Sequence, residues 1–206
     1  MIVSPVPQSR LFTIGHSDHS AGVFLDLLRR HGVTALADVR SSPYSRRYPQ
    51  FNREALAAEV ERAGIRYVFL GTELGARRSE PECYEDRKAR YPLIARVPLF
   101  AEGLTRVRQG AEKYRVALMC AEKDPLTCHR AVLVCRHLRE SMSGIQHIRE
   151  DGRLESHDEL ESRLLALAGL PEGDLFQSRE ELLERAYDWQ GERIAYEEAR
   201  SSEAVA

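Results

Sequence analysis

Three times the chain runs from an amphipathic helix through a glycine straight into an apolar stretch: His31-Gly32-Val33, Ala63-Gly64-Ile65 and Ser143-Gly144-Ile145. A glycine that stops a helix supplies a left-handed residue, and the short apolar run behind it reads as a buried strand. Repetition of this device leaves few folds open. Helix and buried strand alternating along one chain build right-handed βαβ units around a mainly parallel sheet.

The strands expected are Leu11 to Ile14, Val33 to Val39, Ile65 to Leu70, Val116 to Met119 and Ile145 to Ile148. Between them lie a helix capped by Ser20 with the apolar face Phe24, Leu25, Leu27 and Leu28, a helix from about Arg53 to Ala63 capped by Asn52, and a helix near Ala101 to Tyr114. Gly71 to Pro98 is irregular, and a loop this long in a compact domain serves as a lid or binding loop. The fold class expected is α/β: a mostly parallel open sheet of about five strands with flanking helices, plus a C-terminal helical appendage. The α/β domain occupies residues 1–155. Residues 156–206 form an acidic two-helix extension, opened by the capping boxes Ser156/Glu159 and Ser178/Glu181, with a loose tail after about Arg200.

Charge divides at the same place. Residues 1–150 hold 24 Lys and Arg against 17 Asp and Glu, whereas residues 151–206 hold 6 against 15. A basic body with an acidic end fits an anionic ligand on the body, a tail that shields that face or joins a partner, or two ordinary solvated surfaces. The start, MIVSPVPQSR, lacks the apolar core of a signal peptide, and no apolar run of membrane-spanning length occurs. Four cysteines at irregular spacing, Cys83, Cys120, Cys128 and Cys135, suit free thiols in a reducing cytoplasm, with no membrane partner. Cys135 falls on an apolar helix stripe and reads as structural; Cys83, in a polar loop, reads as a surface residue.

Chemistry concentrates in Arg115 to Leu138, RVALMCAEKDPLTCHRAVLVCRHL. A buried strand ends at Cys120, a polar turn follows, and a helix opens with either Asp124 or Thr127 as cap. Open α/β sheets bind ligands beyond the carboxyl ends of their strands, so the topology gathers His16, Ser17, Asp38, Arg40 and the turn from Cys120 to Arg130 on one edge. In that set Cys128 is the candidate nucleophile, its thiol lowered by the helix end. His16 or His129 is the candidate base, Asp38 its orienting partner, and Arg40 or Arg130 the anion clamp. Ser17 and Glu122 complete the candidate substrate contacts. The same residue types support duller readings: a packed cysteine, a histidine bonded to its own turn, an Asp38–Arg40 pair closing the sheet edge.

Two further readings remain open. Cys120, Cys128, His129 and His16 are metal-ligand types, although C-x7-C-H matches no usual structural zinc spacing. The loop from Arg40 to Arg53 carries Arg46 and Arg47 among Tyr44, Tyr48 and Phe51, a composition seen on single-strand nucleic-acid surfaces as well as on plain solvated loops. No cofactor is expected apart from the metal alternative, and the C-terminal helices offer a surface for a second copy of the chain.

With these residues in hand, the chain resembles the bacterial and archaeal family called domain of unknown function 488. The resemblance rests on Thr13-Ile14-Gly15-His16-Ser17, Asp38-Val39-Arg40 with the following Ser42-Pro43-x-Ser45-Arg46-Arg47, Pro49-Gln50-Phe51-Asn52, Leu70 to Gly75, the run from Cys120 to Arg130, and His147-Ile148 with Asp151-Gly152. It spans roughly residues 11 to 155 and implies that His16, Asp38, Arg40, Cys120, Glu122, Cys128, His129 and Arg130 are the recurrent polar positions. It implies no reaction. Cys128-His129-Arg130-Ala131-Val132 also looks like the Pro-Cys-His-Arg-Val site of alkylguanine-DNA alkyltransferases, but Thr127 replaces the proline and the strand-loop-helix setting differs, so it stands as chemical analogy. The function expected is a cytosolic enzyme with a reactive cysteine acting on an anionic, nucleotide or nucleic-acid related substrate. The alternatives are a non-enzymatic nucleic-acid-binding module and a metal-binding protein.

Overall fold

The computed structural model describes residues 10–173 and 175–199, so the tail expected to be loose after Arg200 lies outside the described residues. The first strand β1 (Leu11–Gly15) leads into α1 (Ala21–Arg30), β2 (Ala35–Asp38), α2 (Arg53–Arg62) and β3 (Arg66–Phe69). The irregular stretch then contains a single helical turn α3 (Gly71–Leu74), a two-stranded hairpin of β4 (Tyr84–Glu85) and β5 (Lys88–Ala89), and a second single turn α4 (Tyr91–Ile94). Helix α5 (Pro98–Lys113) feeds the central strand β6 (Val116–Cys120), which a π-helical segment (Arg130–Cys135) and α6 (Arg136–Leu138) follow. The chain closes with β7 (Gln146–Ile148), β8 (Leu154–Ser156), α7 (His157–Leu167) and α8 (Arg179–Ile194).

The sheet order is β3-β2-β6-β1-β7-β8, with all pairings parallel except β7–β8. The five expected strands are present. The sixth, β8, is an antiparallel edge strand whose three residues carry no apolar run that sequence patterning could register. Gly32, Gly64 and Gly144 take φ of 61°, 77° and 71°, the left-handed helix stops that the repeated motif requires. No helix is long and apolar enough to cross a membrane among the described residues.

Side chains alternate along β6 and sort the core into two layers. Ala117 and Met119 face α1 and α2 through Phe24, Leu28, Leu56 and Val60. Val116, Leu118 and Cys120 face the other way, into a larger cluster with Phe100 and Leu104 of α5, Val132 and Leu133, and residues of α7 and α8. Two expectations change here. Asn52 precedes α2 but its side chain makes no cap bond; its Oδ1 instead accepts from the Ser45 N–H at 2.7 Å, fastening the arginine-rich loop. Cys83 is buried rather than at the surface, because the hairpin folds its polar loop over the α4 turn.

The charge split resolves as docking. Acidic α8 lies against basic groups of the body: Arg136 pairs with Asp188 at 2.7 Å and with Glu184, Arg139 with Glu180 and Glu184, and Lys88 and Arg90 with Glu192. Both expected capping boxes are formed. The boundary expected after residue 155 falls inside β8, and Leu160, Leu164, Leu182, Leu183 and Tyr187 join the main core.

Beneath this interface runs a buried chain of hydrogen bonds whose direction is fixed at its end. The Glu161 carboxylate accepts from the Tyr187 hydroxyl at 3.0 Å, so Tyr187 accepts from His157 Nε2, also at 3.0 Å. His157 Nδ1 then accepts from His147 Nε2 at 3.0 Å, and His147 Nδ1 accepts from Thr13 Oγ1 at 2.8 Å. Thr13 in turn accepts from Arg130 Nε at 3.4 Å. Both rings are thus required to be neutral. Burial, helped by the charge of Arg139, holds His157 down at about 4. Unfolding releases it to its ordinary value near 6.5, so its contribution is present above that pH and is lost as pH falls towards 4, on the order of 3 kcal/mol in all. Melting curves at pH 7 and pH 4.5 should show a marked acid loss in the wild type and a smaller one in His157→Gln. Equal losses in the two proteins would remove His157 as the cause.

Candidate functional site

Register brings the chemistry to one edge. Gly15 is level with Cys120, and Asp38 with Met119, so the carboxyl ends of β1, β2 and β6 finish side by side. The ladder continues beyond the strands, with His16 N–H donating to the Cys120 carbonyl and Ser17 N–H to that of Ala121, each at 2.9 Å. A Cβ on Gly15 would overlap the Glu122 carbonyl, so glycine alone admits the turn from 121 to 123 this close to β1.

Asp124 caps a 3-10 turn (Pro125–Thr127) by accepting from the Leu126 N–H at 2.9 Å. Cys128 is extended (φ −136°, ψ 138°), and its carbonyl accepts from the Ala131 and Val132 N–H groups at 3.2 Å, so the helical run begins behind it. Its Sγ accepts from the Arg130 N–H at 3.4 Å. His129 donates from Nε2 to the Val39 carbonyl at 3.0 Å, because a carbonyl can only accept. That bond turns Nδ1 toward both sulfurs, 3.7 Å from Cys120 and 3.9 Å from Cys128. The three ligand atoms lie within 4.8 Å of one another.

Arg130 is fully buried, and among the described residues no carboxylate pairs with it. Its Nη1 donates to the Glu122 carbonyl at 2.7 Å and its Nη2 to that of Lys123 at 3.2 Å. Its charge favours the anionic form of the neighbouring Cys128. Burial alone would oppose a thiolate there, but the hydrogen bond from Cys120, the Arg130 guanidinium and His129 outweigh it and hold Cys128 well below its ordinary value. The bond that Cys120 gives to Cys128, together with burial, pushes Cys120 well above its own. Negative charge on the pair is thus favoured at Cys128 over Cys120. Cys135, packed in the core, is pushed up to about 12 by burial and stays a spectator, as its position on the helix stripe suggests.

Cys120, His129 and Glu122 open onto a cavity of about 440 Å³ whose wall also includes Arg40, Ser41, Ser42, Arg77, Tyr91 and Tyr196. Cys128 lies one layer behind that wall. Burial and the nearby thiolate raise the Glu122 carboxyl. A second hollow shares Arg40, Ser42, Tyr44 and Ala121 with the first and adds His16, Ser17, Ser45 and Tyr48, so the two adjoin along one groove-like edge. Another cavity, of about 350 Å³, sits at the amino-terminal ends of β2, β3 and β6 and contains no cysteine or histidine.

Not every expected role survives in place. Asp38 does not orient a histidine: its carboxylate grips Arg40 through Nε at 2.9 Å and Nη2 at 2.7 Å and accepts from Tyr67 at 2.7 Å. Arg40 also holds the Phe51 carbonyl at 2.8 Å. His16 bonds through Nδ1 to the Ser17 carbonyl at 2.9 Å, stacks on Phe51 at 4.4 Å, and turns Nε2 to Arg40 Nη1 at 3.4 Å. Burial, with the Arg40 charge adding to it, lowers His16 to about 4, so it is a neutral groove residue and no member of the thiol cluster. Ser17 sits in the groove with φ of 47°, its hydroxyl donating to Asp18. Arg46 and Arg47 are exposed and line neither hollow; Arg47 covers the Tyr48 ring at 5.3 Å. Sequence reasoning missed Arg77 and Tyr196, stacked on each other at 4.5 Å, and the Val39 carbonyl. The only available signal was the irregular loop after Gly71, which supplies Arg77.

Removing a buried charge whose partner stays behind is costly. Arg130→Met should lower unfolding free energy by about 3 to 5 kcal/mol in urea titrations, while Arg77→Ala at the groove surface should leave it within about 0.5 kcal/mol. Comparable losses in both would contradict this assignment of charge.

The family described as domain of unknown function DUF488 matches residues 20–136, a span that contains Asp38, Arg40 and the whole turn from Cys120 to Arg130. No curated protein and no solved structure gives a significant match. More than half of the chain carries the family pattern, and the chain belongs to the domain of unknown function DUF488 family.

Proposed function

We propose that the protein is an enzyme for a small anionic substrate, of nucleotide or similar size, whose chemistry depends on the sulfurs of Cys120 and Cys128. The observation that carries this reading is the opening of the Cys120–Cys128–His129 cluster, through Cys120 and His129, into a groove walled by Arg40 and Arg77. The groove volume falls in the range of small-molecule sites. Its two arginines differ in use. Arg40 is held rigid by Asp38 and adds fixed N–H donors, whereas Arg77, stacked on Tyr196 and in no ion pair among the described residues, brings free positive charge. The Ser41, Ser42 and Tyr44 side chains add neutral hydrogen-bonding groups around them.

Arg46 and Arg47 line neither hollow, so the pocketed anion of this reading is held by Arg40 and Arg77 without them. Isothermal titration with inorganic phosphate, nucleoside monophosphates and sugar phosphates at low salt tests this. The expected result is binding of at least one of them that weakens about tenfold or more in Arg77→Ala, the loss of one charged hydrogen bond, and that persists in Cys120→Ser. Turnover of the bound compound should vanish in Cys120→Ser and Cys128→Ser. Anion binding indifferent to Arg77, or turnover that survives both serine variants, would overturn the proposal.

A further inference from the structure

The geometry points to a resident metal ion: Cys120 Sγ, Cys128 Sγ and His129 Nδ1 form three ligands of a zinc-type site whose fourth position faces the arginine-lined groove. The inference rests on the proposed reading of the groove as a substrate site and names the cofactor class for it. Tetrahedral zinc with metal–sulfur bonds of about 2.3 Å and metal–nitrogen bonds of about 2.0 Å separates sulfur from nitrogen by about 3.6 Å. The observed separations are 3.7 Å and 3.9 Å, and all three atoms lie within 4.8 Å of one another.

Four further features agree. The His129 ring is oriented by its Nε2 bond to the Val39 carbonyl, the outer-shell contact that metal-bound histidines usually make and that directs Nδ1 at the ion. The ligands sit on a strand end and at the start of a helical run, positions that need not move to close around an ion. The ligand set is two thiolates and an imidazole, which selects a borderline or soft divalent ion over calcium or magnesium. Three protein ligands with one side open is the pattern of catalytic rather than structural zinc.

Charge agrees as well. A divalent ion cancels two thiolates, and the buried guanidinium of Arg130 then leaves one positive charge for an anion at the fourth position. Glu122 on the same wall, an oxygen of the bound substrate, or a hydroxide can supply it. Loading the ion releases to solvent any proton that the two sulfurs carry, because only the thiolate ligates. The seven residues between the two cysteines include Glu122 and Lys123, whose carbonyls hold Arg130.

The full chain, purified without chelator or an immobilised-metal column, is analysed by plasma mass spectrometry. The expected result is close to one zinc, or another divalent ion of the nitrogen- and sulfur-binding series, per chain. Cys120→Ala, Cys128→Ala and His129→Ala should each lose it, while Cys135→Ala and His16→Ala retain it. Should the ligand variants misfold, the wild type still decides. After removal of the ion, titration with cobalt(II) should give sulfur-to-cobalt charge-transfer absorption and tetrahedral visible bands that saturate at one equivalent. A folded wild type that carries no such ion, takes up no cobalt and shows Cys120 and Cys128 free to a thiol reagent would overturn the metal site. Phosphate titration on the same preparation separates the two ideas. Binding that still depends on Arg77 leaves the anion groove standing without the metal, and metal without Arg77-dependent binding leaves the site without the groove reading.

Discussion

A guanidinium with no solvent exposure sets the terms for the whole carboxyl edge of the sheet. An unbalanced charge at that depth would cost several kcal/mol, so everything around Arg130 is arranged to receive it. Two carbonyls of the turn after β6 take its Nη atoms, Thr13 of β1 takes Nε, and Cys128 supplies negative charge. The turn can reach Arg130 only because Gly15 has no Cβ in its way. The helical run that carries the arginine starts as a π segment, an irregularity that concentrates at functional sites. The guanidinium that ties the turn to β1 also favours the anionic form of Cys128.

The C-terminal helices belong to the same electrostatic arrangement. Their carboxylates meet Arg136, Arg139, Lys88 and Arg90, and their histidine and tyrosine carry the buried chain that ends on Thr13 and Arg130. Ile194 and Tyr196, beyond the family-matched span, complete the groove wall. The extension therefore covers the basic side of the body and supplies part of the cavity wall.

The groove separates a rigid cation from a free one. Asp38, Tyr67 and the Phe51 carbonyl hold Arg40 in place, and burial, with the Arg40 charge added to it, keeps His16 neutral beside it. Arg77 rests only on an aromatic face. A fixed donor array thus stands beside an exposed cation on one wall of the cavity.

Much of this was readable in the residue order. The helix–glycine–strand repeat determined the parallel sheet, because glycine φ and apolar periodicity are local properties. The Ser156 and Ser178 capping boxes placed the last helices for the same reason. The gathering of His16, Asp38, Arg40 and the Cys120–Arg130 turn on one edge followed from topology. Which of these touch was decided only by the tertiary structure. Asp38 bonds Arg40 rather than a histidine because the arginine's fork matches a carboxylate two residues away, and Val39 rather than Asp38 orients His129 because its carbonyl projects beyond the strand end. Cys120 rather than Cys128 faces the groove because side chains alternate along β6 and the start of the helical run packs behind it. Arg77 and Tyr196 arrive from segments more than a hundred residues apart, and Cys83 goes inside because a hairpin covers it. Local pattern sets elements and edges; partner choice among buried charges is settled by three-dimensional reach and by the cost of leaving any of them unpaired.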